Sequence, residues 1–329
     1  MIHADARRTA LERWLASHLR SKFGDDRFGL TPASEDASFR RYFRARGPDG
    51  RTLIVMDAPP DREDCRPFVR VARMLREAGL NAPEVFAQDL SQGFLLLSDL
   101  GTRTYLHELD AQNAAQLFGD ATEALIRWQL ATRAGELPPY DEALLRREMN
   151  LFPQWYIERH LHKTLSPEQK QSLDDIFRLL VQSALAQPAV YVHRDYMPRN
   201  LMVCDPNPGV LDFQDAVLGP VTYDVVSLFR DAFLSWADEQ VLDWSVRYWE
   251  RAKRAGLPLE PDFGEFWRAF EWMGLQRHLK VLGIFARINY RDGKPKYLED
   301  TPRFIAYARS VAARYGALAP LLRLLDEIE

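Results

Sequence analysis

A single stretch of sequence, YVHRDYMPRNLMVCDPNPGVLDFQD at residues 191–215, constrains this chain more than any other. Asp195 follows the apolar run AVYVH, Asn200 comes five residues later, and Asp212 lies twelve residues beyond Asn200. The apolar segments LMVC and VLDF flank the turn signal DPNPG, which predicts two short strands joined by a turn. Such a hairpin would bring Asp212 back beside Asn200.

These three side chains suit the transfer of a phosphoryl group to a hydroxyl. A carboxylate on a loop after a strand can orient the attacking hydroxyl and accept its proton, and we assign this role to Asp195. Mg²⁺ prefers hard oxygen ligands and keeps several waters, so the amide of Asn200 and the carboxylate of Asp212 form a reasonable ligand pair. The competing interpretation is that all three residues only cap loops and turns. The hairpin between the two candidate ligands favours the chemical interpretation.

The remaining pattern predicts a small β-rich lobe followed by a larger helical lobe. After an amphipathic first helix, residues 30–100 read as an antiparallel sheet with one inserted helix at residues 65–78. Helical periodicity then dominates, in segments 104–133, 140–162, 166–186, 221–255, 262–288 and 301–328. We therefore expect an α+β, bilobal fold with lobes at 1–98 and 99–329 and the active site in the cleft.

Composition narrows the class of protein. The chain has 329 residues and a formal net charge of −4, which argues against nucleic acid as the main partner. Two cysteines make neither a disulfide framework nor a zinc site and suit a reducing cytoplasm. The sequence shows no signal peptide and no apolar run long enough to span a bilayer, so we expect no membrane association. It does not indicate an oligomeric state.

The motifs resemble those of the aminoglycoside phosphotransferase and choline kinase family, which has a protein-kinase-like fold. His193-Arg194-Asp195 and Asn200 match its catalytic loop, and Asp212 lies where the D-F-G aspartate of protein kinases lies. In LGPVTYDVVSLF, Asp224 resembles the aspartate that hydrogen-bonds the catalytic-loop backbone. The resemblance implies ATP as co-substrate and Mg²⁺ as cofactor, with His193 and Asp224 as structural supports of the loop.

One group within this family is more similar than the others. The segments DASFRRYF, VMDAPP, GFLLLSDLG, HRDYMPRNLMV, LDFQDAVLGPVTYD and QRHLKVLGIFARINYRDGKPKY resemble bacterial anomeric kinases for N-acetylmuramate and N-acetylglucosamine. This resemblance implies that the partner is an amino sugar, phosphorylated at its C1 hydroxyl during cell-wall recycling. Another acceptor of the wider family, such as an aminoglycoside, choline or homoserine, is an alternative.

The phosphate-binding elements depart from the usual kinase pattern. Met56 stands about where the strand lysine is expected, and Phe68 lies near the expected position of its glutamate partner. A different cation must then meet the phosphates. The hairpin arginines Arg40, Arg41 and Arg44 are the candidates, although solvated edge-strand arginines are an equally good interpretation.

The nucleotide loop is also not rich in glycine. The resemblance implies that the hydroxyls of Ser34 and Ser38, with backbone N–H groups, contact phosphate. The backbone around Ser98 and Leu100, in the connection between the lobes, is expected to bind adenine. The missing lysine and glycines keep open a second class of function, a nucleotide-binding regulatory module without catalysis.

The acceptor site is predicted from charge. Residues 271–297 carry six Lys and Arg residues against two acidic residues, a local charge of +4 in a chain of −4. A polycationic aminoglycoside would prefer the opposite sign, whereas the lactyl carboxylate of N-acetylmuramate fits a basic patch. We select Arg277, His278 and Arg287 as acceptor-binding residues. Residues 155–159 form a second candidate wall, with core packing as an equal alternative for Trp155 and Tyr156.

Overall fold

The computed structural model of the chain describes residues 2–23, 27–34 and 39–328, with the side chains of 2–5, 21–23 and 34 left out. Its strands are β1 Gly29–Ser34, β2 Arg41–Arg46, β3 Thr52–Asp57, β4 Val85–Asp89, β5 Phe94–Ser98, β6 Ala189–Val192, β7 Leu201–Met202, β8 Gly209–Val210 and β9 Val217–Pro220. Its α-helices are α1 Ile2–Phe23, α2 Arg66–Glu77, α3 Tyr105–Glu108, α4 Ala114–Leu130, α5 Glu142–Met149, α6 Pro167–Leu185, α7 Tyr223–Phe229, α8 Asp238–Arg254, α9 Phe263–Asp292, α10 Thr301–Arg314 and α11 Ala319–Ile328. Phe152–His160 is π-helical, and short 3₁₀ turns cover Pro198–Asn200, Pro295–Asp300 and Gly316–Leu318.

The chain forms two compact units. The first contains residues 1–108 and 200–215, and the second contains residues 109–199 and 216–329. The sequence places residues 200–215 with the later lobe, whereas in the structure they belong to the first unit. The reason is backbone bonding: Val210 donates to the carbonyl of Asn81 at 2.8 Å, and Val203 donates to that of Arg103 at 2.8 Å.

The first unit is built on a five-stranded antiparallel sheet in the order β1-β2-β3-β5-β4. The predicted hairpin is β2–β3, with Phe43 opposite Val55. On α1, Leu11, Leu15 and Leu19 are fully buried against this sheet, because residues four apart share one face of a helix. Strand β1 was not predicted from the sequence, because its segment GLTPAS contains glycine and proline. The strand lies at an edge of the sheet, where proline is tolerated.

The second unit is mainly helical and contains the two-stranded antiparallel ladder β6–β9. Its longest helix, α9, begins at Asp262, whose carboxylate accepts from the Glu265 N–H at 3.1 Å, and ends at Gly293 in the left-handed conformation, φ 69°. The expected α+β class, with a β-rich part followed by a mainly helical part, is confirmed. Nowhere in the described parts of the chain is a helix long and apolar enough to cross a membrane.

Four predicted helical segments are interrupted: 104–133 between α3 and α4, 301–328 between α10 and α11, and 221–255 and 140–162 for visible local reasons. Segment 221–255 breaks between α7 and α8, where the Asp231 carboxylate accepts from the N–H groups of Phe233 and Leu234 at 2.7 and 2.9 Å. Such bonds offer the backbone an alternative to the helical ladder. Segment 140–162 changes from α to π geometry at Phe152, next to Pro153, which has no N–H for the helical bond.

A buried carboxylate attaches α1 to the sheet. Asp57, at the end of β3, is fully buried; Arg7 of α1 donates to its Oδ1 at 2.6 Å, and Arg41 of β2 bonds its Oδ2. Arg7 also donates to the carbonyl of Gln92 at 2.6 Å. Two arginines thus neutralise one acidic group in the interior. The carboxylate is therefore a structural link among α1, β2 and β3.

We expect Asp57→Asn to lower the free energy of unfolding by about 3 kcal/mol, because breaking a buried ion pair leaves its partners unsatisfied. Asp49→Asn removes an exposed ion pair with Arg51 and should cost less than about 1 kcal/mol. Urea unfolding followed by circular dichroism measures both. Equal stability of Asp57→Asn and the wild type would contradict the structural role of Asp57.

Candidate active site

The hairpin β7–β8 brings two predicted metal ligands together. The backbone N–H of Leu211 donates to the carbonyl of Asn200 at 2.9 Å, which extends the two-stranded ladder towards Asp212. The Asn200 Nδ2 lies 3.5 Å from Asp212 Oδ2, and Gln214 donates to Asp212 Oδ1 at 2.9 Å. Asp212 has φ 61°, a left-handed conformation that aspartate and asparagine adopt more readily than most residues. The predicted hairpin geometry is therefore present.

The pair fits a magnesium ion by its chemistry. An amide and a carboxylate are hard oxygen ligands, and Mg²⁺ takes its remaining ligands from water and substrate phosphates. The Asp212 side chain is 37% exposed and so can accept a ligand. A half-turn of the Asn200 amide would present its oxygen, instead of its nitrogen, to a metal ion. The residues that the structure describes hold no group of three or more His, Cys, Asp or Glu side chains suited to a metal.

The three hairpin arginines have different partners. Arg40 lies 3.7 Å from Asp212 Oδ1, and its side chain is 11% exposed. Arg44 donates to both carboxylate oxygens of Asp99 at 2.6 and 3.1 Å and to the carbonyl of Gly101 at 2.8 Å. Arg41 bonds Asp57. The predicted phosphate contact is thus better suited to Arg40 than to Arg44, whose donors hold the segment after β5.

Asp99 therefore has a structural explanation. Burial acts to raise its pKa, but the hydrogen bonds from the Arg44 guanidinium and the Gly101 N–H outweigh this effect and hold the pKa below its usual value. The segment Asp99-Leu100-Gly101 resembles a metal motif in sequence, yet its aspartate is occupied by an arginine. Its position in the chain, ahead of the Asp195 loop instead of after it, also disfavours it as a metal site.

The other residues predicted to bind the nucleotide lie near the end of β1 and at the end of β5. Ser34 is the last residue of β1, and Ser38 lies outside the described residues. The Ser98 N–H donates to the carbonyl of Glu84 at 2.9 Å, and its hydroxyl accepts from the Glu84 N–H at 2.9 Å. An adenine contact there would use the backbone beyond Ser98, around Leu100. These roles stay predictions.

Apolar residues occupy the positions of the missing kinase ion pair. Met56 is fully buried in β3. Phe68 of α2 is also buried, and its ring centroid lies 4.7 Å from that of Phe213, the residue after Asp212. Aromatic packing therefore connects α2 to the predicted metal ligand, where protein kinases use charge.

The catalytic loop is held by a buried carboxylate in the second unit. Asp224, on α7 and fully buried, accepts from the backbone N–H groups of His193 and Arg194 at 2.6 and 3.0 Å. Burial raises the pKa of Asp224 to about 7, although these hydrogen bonds favour its charged form. Arg194 has φ 77°, so the loop adopts a strained turn that these bonds stabilise.

His193 and Asp195 lie together in this turn. The His193 ring is buried, and its Nδ1 accepts from the Asp195 N–H at 3.3 Å. The ring also packs edge-on against Tyr196. Asp195 itself is half-buried, and its carbonyl accepts from the Met197 N–H at 3.0 Å. These contacts agree with His193 as a structural support and leave the Asp195 carboxylate the candidate for chemistry.

A buried charge cluster beside this loop was not anticipated from the sequence. Glu148 of α5 pairs with Arg194 and, at 3.0 Å, with Lys280 of α9, while Tyr140 donates to its second oxygen. Lys280 also donates to the Tyr223 hydroxyl at 2.9 Å. Burial acts to raise the pKa of Glu148, but the two cations and Tyr140 lower it below its usual value. Residues far apart in sequence form this cluster, so periodicity alone could not reveal it.

The predicted acceptor residues lie in different environments. Arg277 and His278 are each 2% exposed; Arg277 donates to the Arg230 carbonyl at 3.3 Å, and burial lowers the pKa of His278 well below its usual value. Their burial favours a packing role. Arg287 is half-buried, and its Nε has no hydrogen-bond partner among the described residues. Tyr156 is buried as well, whereas Trp155 is partly exposed.

Known proteins resemble this chain over nearly its whole length. It is 57% identical to the N-acetylmuramate/N-acetylglucosamine kinase of Pseudomonas aeruginosa, over 98% of this chain and 97% of that protein. The proteins of the same name from Pseudomonas putida and Neisseria meningitidis are 53% and 47% identical, over 100% and 98% of this chain and 98% and 96% of theirs.

Solved structures show the same fold at low sequence identity. An ADP-bound aminoglycoside phosphotransferase superposes with a TM-score of 0.59 at 16% identity, covering 88% of this chain and 95% of that one. A choline/ethanolamine kinase family protein from Mesorhizobium loti gives 0.60 at 14% identity, covering 99% of both chains. The fold is therefore that of protein-kinase-like phosphotransferases. Residues 29–259 match the sequence profile of the phosphotransferase enzyme family, and the chain belongs to this family.

Proposed function

We propose that this chain is an ATP-dependent kinase that phosphorylates the anomeric C1 hydroxyl of N-acetylmuramate and N-acetylglucosamine. The observation that carries the proposal is the hairpin that places Asn200 beside Asp212 directly after the Asp195 loop. The similarity of this chain, over nearly its whole length, to proteins named N-acetylmuramate/N-acetylglucosamine kinase supports the choice of acceptor. The reaction uses ATP and would recycle cell-wall amino sugars in the cytoplasm.

The chemistry follows from these side chains. Asp195 accepts the proton of the C1 hydroxyl while the hydroxyl oxygen forms a bond to the γ-phosphorus of ATP. The bond between the γ-phosphorus and the oxygen that bridges to the β-phosphate breaks, and ADP is released. Asn200 and Asp212 would hold Mg²⁺, which supplies charge stabilisation for the phosphates. Arg40, next to Asp212, replaces the missing strand lysine as the phosphate-binding cation.

The function is tested by magnesium-dependent ADP release with N-acetylmuramate, N-acetylglucosamine, choline, homoserine and kanamycin as acceptors. Turnover on the two N-acetylated sugars alone, with phosphate at C1 by phosphorus NMR, is the expected result. Turnover only on another acceptor would overturn the amino-sugar assignment and keep the kinase. Tight ATP binding without turnover on any acceptor would indicate the regulatory module instead.

Arg40→Gln tests the phosphate contact. We expect KM for ATP to rise about tenfold to 100-fold, because a charge-assisted hydrogen bond to phosphate contributes about 1.5–3 kcal/mol. Arg46→Gln, an exposed residue at the end of β2, the strand that begins directly after Arg40, is the matched control and should leave KM unchanged. Initial-rate kinetics with varied ATP distinguish them. An unchanged KM in Arg40→Gln would remove Arg40 from the nucleotide site.

Arg287 is the best remaining candidate for the acceptor carboxylate. It lies seven residues beyond Lys280 on α9, hence on the same helical face and about 10 Å along the axis. Lys280 pairs with Glu148, which in turn pairs with Arg194 beside Asp195. Burial and the charge of Arg291 lower the pKa of Arg287, so a carboxylate would improve its environment.

Arg287→Gln should raise KM for N-acetylmuramate about tenfold and leave KM for N-acetylglucosamine unchanged, because only the former carries a lactyl carboxylate. The second sugar is thus a matched control within one variant. Steady-state kinetics with both acceptors provide the measurement. Equal changes for the two sugars would show that Arg287 does not recognise the carboxylate.

A further inference from the structure

Four charged groups converge beside the catalytic loop in the second unit. Lys280 lies 3.0 Å from a carboxylate oxygen of Glu148, and Arg194 pairs with the same oxygen. Both cations also interact electrostatically with Asp195, the residue after Arg194. Glu148 and Lys280 are 6% and 8% exposed, so water screens these interactions little. The proposed base is therefore part of a buried electrostatic unit.

The arrangement of α9 makes this cluster possible. Gly283, one turn beyond Lys280, lies so close to the start of the π-helical segment that a Cβ atom would be 2.3 Å from the carbonyl carbon of Leu151. Leu151 follows Glu148 by three residues. The close approach at Gly283 thus brings the side chains of Lys280 and Glu148 within pairing distance.

The charges within the cluster do not balance without Asp195. Lys280 and Arg194 contribute two positive charges and Glu148 one negative charge, while Tyr140 and Tyr223 are bound to this set through hydrogen bonds. Burial, with the neighbouring Tyr223 and Glu148, raises the pKa of Tyr140 well above its usual value. The two cations and Glu148 together carry a net charge of +1, and a buried net charge is stabilised by a neighbouring anion.

Asp224 does not supply this partner. Asp224 and Asp195 interact electrostatically as two carboxylates of like charge. The oxygens of Asp224 accept hydrogen bonds from the backbone N–H groups of His193 and Arg194, and Asp224 also interacts with the cation Arg277. Asp195, by contrast, is a carboxylate in electrostatic contact with both Arg194 and Lys280.

We infer that Lys280 and Glu148 are positioning residues for phosphoryl transfer. With Arg194 and Asp195 they form a set of two positive and two negative charges, which is neutral as a whole. The attraction within this set holds the Asp195 carboxylate in the orientation that the reaction requires. The inference rests on the proposed role of Asp195 as base. It assigns to Glu148 of α5 and Lys280 of α9 a part in the reaction without contact with ATP or the acceptor.

Charge balance gives a sharper test than single substitutions. Lys280→Met leaves the set with one excess negative charge, and Glu148→Gln leaves one excess positive charge. The double variant removes one charge of each sign and restores neutrality between Arg194 and Asp195. The two opposite effects on Asp195 should therefore compensate in kcat, whereas a purely structural ion pair would compensate in the free energy of unfolding and leave kcat unchanged.

We expect each single variant to lower kcat at least about tenfold, with KM for ATP changed less than about twofold. The double variant should have a higher kcat than the less active of the two single variants. Lys280→Arg keeps the charge and should retain most of the wild-type kcat.

Glu271→Gln is the matched control. Glu271 is a buried carboxylate on the same α9, paired with Arg314 and bonded by Tyr315, so its loss should reduce stability and not kcat.

Single-turnover and steady-state kinetics, with thermal unfolding of each variant, decide the matter. Losses that multiply in the double variant, or an equal loss of kcat in Glu271→Gln, would overturn the inference while the wild-type kinase reaction still stands. Wild-type protein that transfers phosphate to none of the acceptors would instead refute the proposed function on which the inference rests.

Discussion

Asp195→Asn should abolish turnover, with a decrease in kcat of about 10³-fold, and leave ATP binding within about twofold of the wild type. The amide keeps the size and shape of the carboxylate but cannot accept the proton of the attacking hydroxyl. The loop should keep its conformation, because the Asp195 N–H donates to His193 Nδ1 and the Asp195 carbonyl accepts from the Met197 N–H, and both backbone bonds remain in the variant. Calorimetric titration with Mg²⁺·ATP measures binding, and ADP release measures turnover.

Asp174→Asn is the matched control for this experiment. Asp174 belongs to the same unit and is an exposed carboxylate paired with Arg146. Its substitution changes the same functional group and should leave both binding and turnover unaltered. Full turnover in Asp195→Asn would show that another group accepts the proton. Loss of ATP binding together with turnover would show that the substitution disrupts the loop rather than the chemistry.

The parts of the site that could be predicted are those whose contacts join residues close together in the sequence. The spacing from Asn200 to Asp212, with a turn signal between two apolar segments, allows few conformations other than a hairpin, and the structure contains it. The alternation around Phe43 and the turn GPDG likewise determine the β2–β3 register. In each case residues close in sequence decide the contact, so local chemistry was sufficient.

The parts that were not predictable depend on partners far apart in the chain. Arg44 meets Asp99 across 55 positions of sequence, and this pairing turns a candidate phosphate ligand into a structural one. The charge of residues 271–297 suggested a basic surface, yet Arg277 and Lys280 are buried with specific partners. A count of charges contains no information on which side of a helix faces the interior. Only tertiary packing of α9 separates these residues from Arg287.

The chain also shows how a kinase-like fold tolerates the loss of a standard ion pair. Met56 and Phe68 are both buried, and Phe68 packs on Phe213, next to the metal-binding candidate Asp212. If only one member of the pair were apolar, the other would be an unpaired buried charge. Replacement of both members therefore avoids an unpaired buried charge, and our proposal assigns the phosphate contact to a different cation, Arg40, which lies beside Asp212.

Asp212→Asn should lower turnover by about 10³-fold, because an amide is a weaker ligand than a carboxylate for a hard divalent ion. Metal ions contribute several kcal/mol of charge stabilisation in the transition state, and each 1.4 kcal/mol corresponds to about tenfold in rate. Asparagine tolerates the left-handed backbone at this position, φ 61°, whereas alanine would add strain. Asp212→Asn therefore tests the metal ligand separately from the fold of the hairpin.

The dependence of rate on Mg²⁺ concentration is the decisive measurement. If Asp212 holds the metal, the variant should require a higher Mg²⁺ concentration for half-maximal rate, and raised Mg²⁺ should restore part of the activity. Asp205→Asn, an exposed substitution in the turn of the same hairpin, should show the wild-type dependence. An unchanged Mg²⁺ requirement in Asp212→Asn would exclude Asp212 as a ligand. The proximity of Asp212 to Arg40 would then indicate that the carboxylate serves to orient this arginine towards the phosphates.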